Sequence, residues 1–338
     1  MDTLQETARA LVAPARGILA ADESTGTIEK RFDGIGVEST EENRRRYRQL
    51  LFATPGLGEH ISGVILYDET IRQADDGGVA FSRVLTDAGV IPGIKVDLGA
   101  KALALFPAET VTEGLDGLRE RLKEYGELGA RFAKWRATLI IGEGLPTDFA
   151  LEANGHAMAR YAALCQEAGI VPIVEPEVLM DGDHHIDACE TATGRTLQVL
   201  FDQLRAHRVE LPGTLLKVNM VLCGKGCPRQ AGVAEVAQAT VRCLTANVPA
   251  EVPGVVFLSG GQSDEDATAH LSEMNRSGPH PWELSVSYGR ALQSPSLKAW
   301  GGDPANVPAA QAALAHRARM NGLARDGSYT AEMEASVA

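Results

Sequence analysis

The chain has no apolar run of the roughly eighteen residues needed to cross a bilayer, so no transmembrane helix is expected. Its first residues, MDTLQETARALVAPARG, mix charge and polarity and lack the apolar core of a secretory signal, so none is expected. Cysteine is scarce and odd in number, five in 338 residues. That favours a reducing compartment, the cytoplasm, over a disulfide framework. Basic residues are outnumbered, 32 against 45 acidic, and the net charge of −13 excludes the basic face of a nucleic-acid binder. Neither a Pro- or Ser-rich linker nor a sequence-level repeat divides the chain. With 44% hydrophobic and 23% charged residues, it has the composition of a globular protein with a sizeable core.

What is present is a series of short, β-branched apolar runs, each closed by a turn signal. They are GILAAD (17–22), GVILYD (63–68), GIKVD (93–97), FAKWRA (132–137), IVPIVEPEV (170–178), TLLKVNMV (214–221), GVVFLSG (254–260) and LSVSYG (284–289). Amphipathic stretches predict helices over 41–53, 114–130, 151–169, 193–208, 230–248 and 309–324. Strand plus crossover helix, repeated without a linker, favours a single (β/α)8 TIM barrel in the α/β class over a doubly wound sheet. The expected domain covers residues 1–323, and 324–338 reads as a weakly ordered tail.

Three of these runs place a lysine among apolar neighbours: Lys95, Lys134 and Lys217. Alternate residues of a strand share a face. Lys217 therefore goes with Leu215 and Asn219, Lys134 with Arg136, Glu175 with Glu177, and Lys95 with Asp97. Asp22, Ser259 and Ser287 stand near the ends of their strands. If these faces point inward, seven of the eight strands send polar groups to the C-terminal mouth, where active sites of this fold lie. One Lys–Glu pair reads equally well as a buried salt bridge, but so many buried charges would be too costly for packing alone.

An amine set among apolar groups and other cations gives up its proton more readily and attacks a carbonyl, forming a Schiff base. The carboxylates Glu175 and Glu177 are candidates for the accompanying proton transfers. Glycines in FLSGGQS (Ser259, Gly260, Gly261) and SYGRA (Gly289, Arg290) suit an anion at the usual phosphate position of such barrels. DESTGT adds Ser24 and Thr27, with Lys30 and Arg31 beyond, so a substrate with a phosphate at each end would fit.

Other patterns carry less. One C-x3-C (Cys223, Cys227) reads as a reduced loop rather than a metal clip. DGDHHID (181–187) reads as a solvated loop, and GLGEHISG precedes its strand instead of following it, which rules out a dinucleotide loop. The run Arg44, Arg45, Arg46 and Arg48 reads as an exposed helix face.

Taken together the strings GILAADESTGTIEKRF, GVILYDET, GIKVD, FAKWRA, GIVPIVEPE, GTLLK-NMV, FLSGGQS and SYGRALQ–KAWGG resemble class I fructose-bisphosphate aldolases, in order from about residue 10 to 330. The resemblance implies metal-independent Schiff-base cleavage of fructose 1,6-bisphosphate to dihydroxyacetone phosphate and glyceraldehyde 3-phosphate, in glycolysis and gluconeogenesis. No cofactor is expected, sugar phosphates are the partners, and a homo-tetramer is implied. By motif, Lys217 would be the Schiff-base lysine, Glu175 the principal acid/base, and Asp22 the base for the C4 hydroxyl. Lys134 and Glu177 would tune the site. Ser259, Gly260, Gly289 and Arg290 would hold the ketose-side phosphate, and Gly261 and Ser287 would also bind substrate or phosphate; Lys95, Arg136, Ser24, Thr27 and Arg31 would lie toward the other phosphate. Two features depart from the family: Val218 replaces a proline beside the lysine, and the chain ends SVA where animal members end in a tyrosine. A transaldolase-like lyase and a non-catalytic sugar-phosphate scaffold are the alternatives. Paired phosphate sites argue against the first, and the joint presence of Lys217, Glu175 and Asp22 against the second.

Overall fold

In a computed structural model, which describes residues 3–336, eight parallel strands close into one barrel. In chain order they are β1 (Gly17–Ala21), β2 (Ile61–Leu66), β3 (Ile91–Lys95), β4 (Phe132–Leu139), β5 (Val171–Val178), β6 (Leu215–Val218), β7 (Gly254–Phe257) and β8 (Glu283–Tyr288). Each pairs with its sequence neighbours, and β8 returns to β1 through Ile18 opposite Ser287 and Leu19 opposite Tyr288. The (β/α)8 expectation holds.

Several strands stop short of their expected ends, and for one reason. Asp22, Asp97, Asn219 and Ser259 leave the ladder where the chain turns outward toward the next helix, so the polar ends of the runs form loops.

The expected helices are present as Glu41–Phe52, Leu118–Glu127, Asp148–Glu167, Ile186–Ala206, Val233–Asn247 and Val307–Ala324. Further helices lie at Leu4–Leu11, Thr25–Asp33, Phe81–Asp87, Asp264–Arg276 and Arg290–Trp300; a crossover helix after each strand was expected, but no stretch was named for these. Two of the helix starts have clear local causes. Thr40 Oγ1 accepts from the Asn43 amide at 3.1 Å, and Ser263 Oγ from the Asp266 amide at 2.9 Å, each satisfying an otherwise unpaired donor.

The barrel interior is apolar at its N-terminal end. Ile18, Ile65, Phe132, Val171, Ile173, Leu215 and Val256 pack there with Leu11 and Val12 of the first helix and its end. Close packing fixes glycine at Gly93, where a Cβ would lie 2.4 Å from the Phe132 ring. The second core lies between the strands' outer faces and the helices and includes Trp135, Tyr161 and Leu197, with Val218. Val218 thus faces away from the barrel interior, and as Val it takes part in the ladder opposite Phe257.

The arginine run is not an exposed face. Only Arg46 is exposed; Arg44 pairs with Glu69 at 2.6 Å, and Arg45 with Glu42 and Asp76 at 2.8 and 2.7 Å. Arg48 is 3% exposed and donates to Glu23 Oε2 at 2.5 Å. Helical periodicity turns Arg48 inward beside Tyr47, and the acid following Asp22 meets it there.

Beyond Ala324, Tyr329 is buried and donates to Glu334 Oε1 at 2.9 Å. Glu334 also pairs with Arg317 and lies 3.0 Å from His316 Nε2. The last two residues of the expected tail lie outside the described residues.

Candidate active site at the barrel mouth

Two residues above the apolar floor, the same strand faces become charged: Phe132 gives way to Lys134, Ile173 to Glu175, Leu215 to Lys217. Lys134 sits at the centre. Its Nζ lies 2.7 Å from Asp22 Oδ2, 3.6 Å from Glu175 Oε2 and 3.9 Å from Asp97 Oδ2. Burial works against its charge, but Asp22, Glu175 and Asp97 outweigh it and hold the pKa above the ordinary lysine range. Asp22 shows the mirror effect. Burial pushes its pKa up, yet Lys134, Lys217 and Lys95 keep it well below the usual carboxylate range.

The other two lysines are held differently. Lys95 Nζ lies 2.6 Å from Asp97 Oδ1 and donates to the Asp97 carbonyl, also at 2.6 Å. Lys217 Nζ has one carboxylate within ion-pair distance among the described residues, Glu175 Oε1 at 3.2 Å. Glu177 is engaged by Arg136, so the two glutamates of β5 are unequal. Among the described residues, Glu175 Oε2 and Ser287 Oγ are buried without a hydrogen-bond partner, and both face the cleft. A chemically capable set results: one lightly compensated amine, a carboxylate beside it with one oxygen that accepts no hydrogen bond, and a fixed ammonium–carboxylate pair next to both.

The cleft over this cluster has a volume of about 960 Å³. Every residue expected at the site lines it: Asp22, Ser24, Thr27, Arg31, Lys95, Lys134, Arg136, Glu175, Glu177, Lys217, Ser259, Gly260, Gly261, Ser287, Gly289 and Arg290. Gly260 and Gly261 adopt φ of 55° and 85°, left-handed values that glycine takes without strain. Arg290 starts the helix after β8 and is braced by Asp264 at 3.2 Å and by the Gln262 carbonyl.

Two placements differ from expectation. Asn219 does not share the mouth with Lys217: its side chain accepts from the Val178 amide at 2.9 Å and donates to Thr193 Oγ1 at 3.1 Å. It lies past the end of β6, where strand alternation no longer applies. Arg31 lies beside Gly289, its Nη2 3.7 Å from where a Gly289 Cβ would be, on the β8 side rather than the far side with Lys95. Closure of β1 against β8 brings it there.

A family model, fructose-bisphosphate aldolase class-I, matches residues 3–338. The chain belongs to the class I fructose-bisphosphate aldolase family. It is 59% identical over 330 residues to a probable fructose-bisphosphate aldolase class 1 of Xanthomonas campestris pv. campestris, covering 97% of this chain and 99% of that one. To cytosolic fructose-bisphosphate aldolase 4 of Arabidopsis thaliana it is 52% identical, over 95% of this chain and 82% of the relative. The Plasmodium falciparum aldolase, solved in complex with TRAP and a small-molecule inhibitor, superposes with a TM-score of 0.96. That pair shares 50% identity over 97% of this chain and 95% of the other. The activity is that of a class I aldolase, a metal-independent lyase of carbohydrate metabolism acting on sugar phosphates.

Three residues of this aldolase's mouth escaped the sequence reading of the site. Glu23 accepts from Arg48, Arg31 and, at 2.7 Å, Gln293. Asp97, read only as sharing a face with Lys95, lies within reach of two lysines. Lys225, in the CGKGC loop, lies over Gly261. Strand alternation pointed away from Glu23, and nothing local signals Lys225. The aldolase's five cysteines are free and buried. His185 Nδ1 stands 3.3 Å from Cys227 Sγ where the 181–187 and 223–227 loops meet.

Proposed function

We propose that Lys217 is the imine-forming residue of this aldolase. The observation that carries this is the unequal compensation of the three interior lysines. Lys134 faces three carboxylates and keeps its proton, Lys95 is clamped by Asp97, and Lys217 has Glu175 alone. The Lys217 amine adds to the C2 carbonyl of fructose 1,6-bisphosphate, and water leaves as the iminium forms. Asp22, kept ionised by Lys134, takes the proton of the C4 hydroxyl. The C3–C4 bond breaks, releasing glyceraldehyde 3-phosphate and leaving an enamine. Glu175, whose Oε2 accepts no hydrogen bond among the described residues, takes up a proton from water and delivers it to C3. Asp22 releases its proton to water, and hydrolysis of the iminium releases dihydroxyacetone phosphate and the Lys217 amine. Glu177 is bound to Arg136 and acts through charge rather than as the carrier.

Ser259, Gly260, Gly261, Ser287, Gly289, Arg290 and Arg31 hold the ketose-side phosphate, and Lys95, Arg136, Ser24 and Thr27 face the other. Metal and cofactor play no part in this scheme. A cytoplasmic setting is supported by the cytosolic Arabidopsis relative, and no helix of the described residues is long and apolar enough to cross a membrane. Family resemblance supports a homo-tetramer.

The test is borohydride reduction in the presence of dihydroxyacetone phosphate, after exhaustive EDTA treatment, followed by peptide mapping. Irreversible inactivation with the label on Lys217 is expected, and activity before reduction should survive the chelator. Label on Lys95 or Lys134, or none, would sink the assignment.

A further inference from the structure

Lys225 stands between two glycines in the loop after β6, and its side chain crosses over the Ser259–Gly261 turn. A Cβ built on Gly261 would lie 2.9 Å from Lys225 Cε and 3.2 Å from its Nζ. The backbone beneath it is fixed. The Lys225 amide donates to the Met180 carbonyl at 2.8 Å, Gly226 to Gly182 at 2.7 Å, and Gly224 to His184 at 2.8 Å. Gly224 has no room for a side chain, since a Cβ there would meet the Gly182 carbonyl at 2.5 Å. The ammonium is therefore carried on an anchored stem.

Its ionic partner is Asp181 at 3.0 Å, and both side chains are more than half exposed, 53% and 65%. Solvent screens a pair of this kind, so it is easily exchanged. Beneath the lysine, among the described residues, the Gly260 and Gly261 amides donate to no protein acceptor. Two free N–H groups under an exposed cation make a receptor for an anion. Of the two cations already assigned to this phosphate, Arg290 spends part of its fork on Asp264 and the Gln262 carbonyl, and Arg31 is paired with Glu23.

We propose that Lys225 is a further cationic ligand of the ketose-side phosphate, beside Arg290 and Arg31, leaving Asp181 for the substrate, so that Asp181 competes with the phosphate and sets its affinity. This rests on the reading above that the Ser259–Gly261 turn holds that phosphate. A phosphate dianion offers the ammonium more charge and more acceptor oxygens than one carboxylate, which drives the exchange.

The pair of variants Lys225→Met and Asp181→Asn tests it, by steady-state cleavage of fructose 1,6-bisphosphate and by inhibition with inorganic phosphate. Lys225→Met should raise KM and the phosphate inhibition constant about 5–20-fold while kcat stays within about twofold, as loss of one charge-assisted contact requires. Asp181→Asn should lower both constants about 2–3-fold, and that gain should vanish when Lys225 is already Met. If the pair serves only to hold the loop, both variants will shift KM in the same direction. That result overturns the proposal, as does an unchanged KM for Lys225→Met. Ser259→Ala and Arg290→Ala separate the two readings. If they raise KM while Lys225→Met is silent, this inference alone fails; if they too are silent, the phosphate turn itself is misplaced.

Discussion

The two ends of the barrel interior stand one layer apart and follow opposite rules. At the floor, Phe132, Ile173 and Leu215 pack with Leu11 and Val12, close enough that Gly93 tolerates no Cβ. Two positions further along the same strands, roughly 7 Å away, the polar side chains of Lys134, Glu175 and Lys217 are buried. The closed floor denies those charges water from below, so each must find its partner across the mouth. Stability is concentrated in one layer and chemistry in the next. A substitution can therefore damage one without the other.

The largest effect should come from the upper layer. Lys217→Met is expected to cut kcat by roughly 10⁴-fold or more with the folded barrel retained, measured by cleavage rate beside thermal melting. A variant that unfolds would show that the mouth also supports the floor. Next, Phe132→Ala should lower unfolding free energy by about 3–5 kcal/mol, read from urea titration. Its kcat per folded molecule should change only a few-fold, because the lysine above keeps its carboxylates. A collapse in kcat would mean that the layers are not separable.

The smallest effect concerns the rim. Glu23 is buried, which raises its pKa, but Arg48 and Arg31 outweigh burial and the net shift is downward. Its contribution is therefore complete above the usual carboxylate value and is lost as pH falls through the lower folded value. Glu23→Gln should flatten the acid limb of a stability–pH curve by at most about 1.4 kcal/mol per pH unit. Urea midpoints measured from pH 6 downward would decide it, and an unaltered slope would remove Glu23 from the acid response.

The contrast between layers was legible in the sequence because period two exposes it: FAK, PIVE and LLK each step from apolar to charged on one face. Strand count and barrel closure followed from the same runs. Periodicity could not reveal contacts made by tertiary approach. Arg48 looked solvated because its neighbours are arginines, and only the packing of Glu41–Phe52 against the loop after β1 turns it to Glu23. Lys225 is held over Gly261 because its loop is zipped to residues 180–184 by backbone hydrogen bonds, which carry no side-chain signature. Asn219 was misplaced because alternation was extended past Val218, where the strand ends.

Closure of β1 on β8 has a bearing on how such a chain is made. Ile18 pairs with Ser287, Ser285 Oγ donates to the Arg16 carbonyl at 2.9 Å, and Gln293 reaches Ala20 and Glu23. One arc of the mouth, from Asp22 and Arg31 to Ser287 and Arg290, thus joins segments synthesised first and almost last. Until β8 leaves the ribosome, the growing sheet has two raw edges and an incomplete mouth, the condition in which strands recruit wrong partners. A chain released before residue 283 would carry Lys217 and Glu175 yet lack Ser287 and Arg290, with β1 unpaired on one side. Truncated translation products of this barrel should therefore be inert and prone to aggregation, and chaperones would have to shelter the β1 edge for most of synthesis.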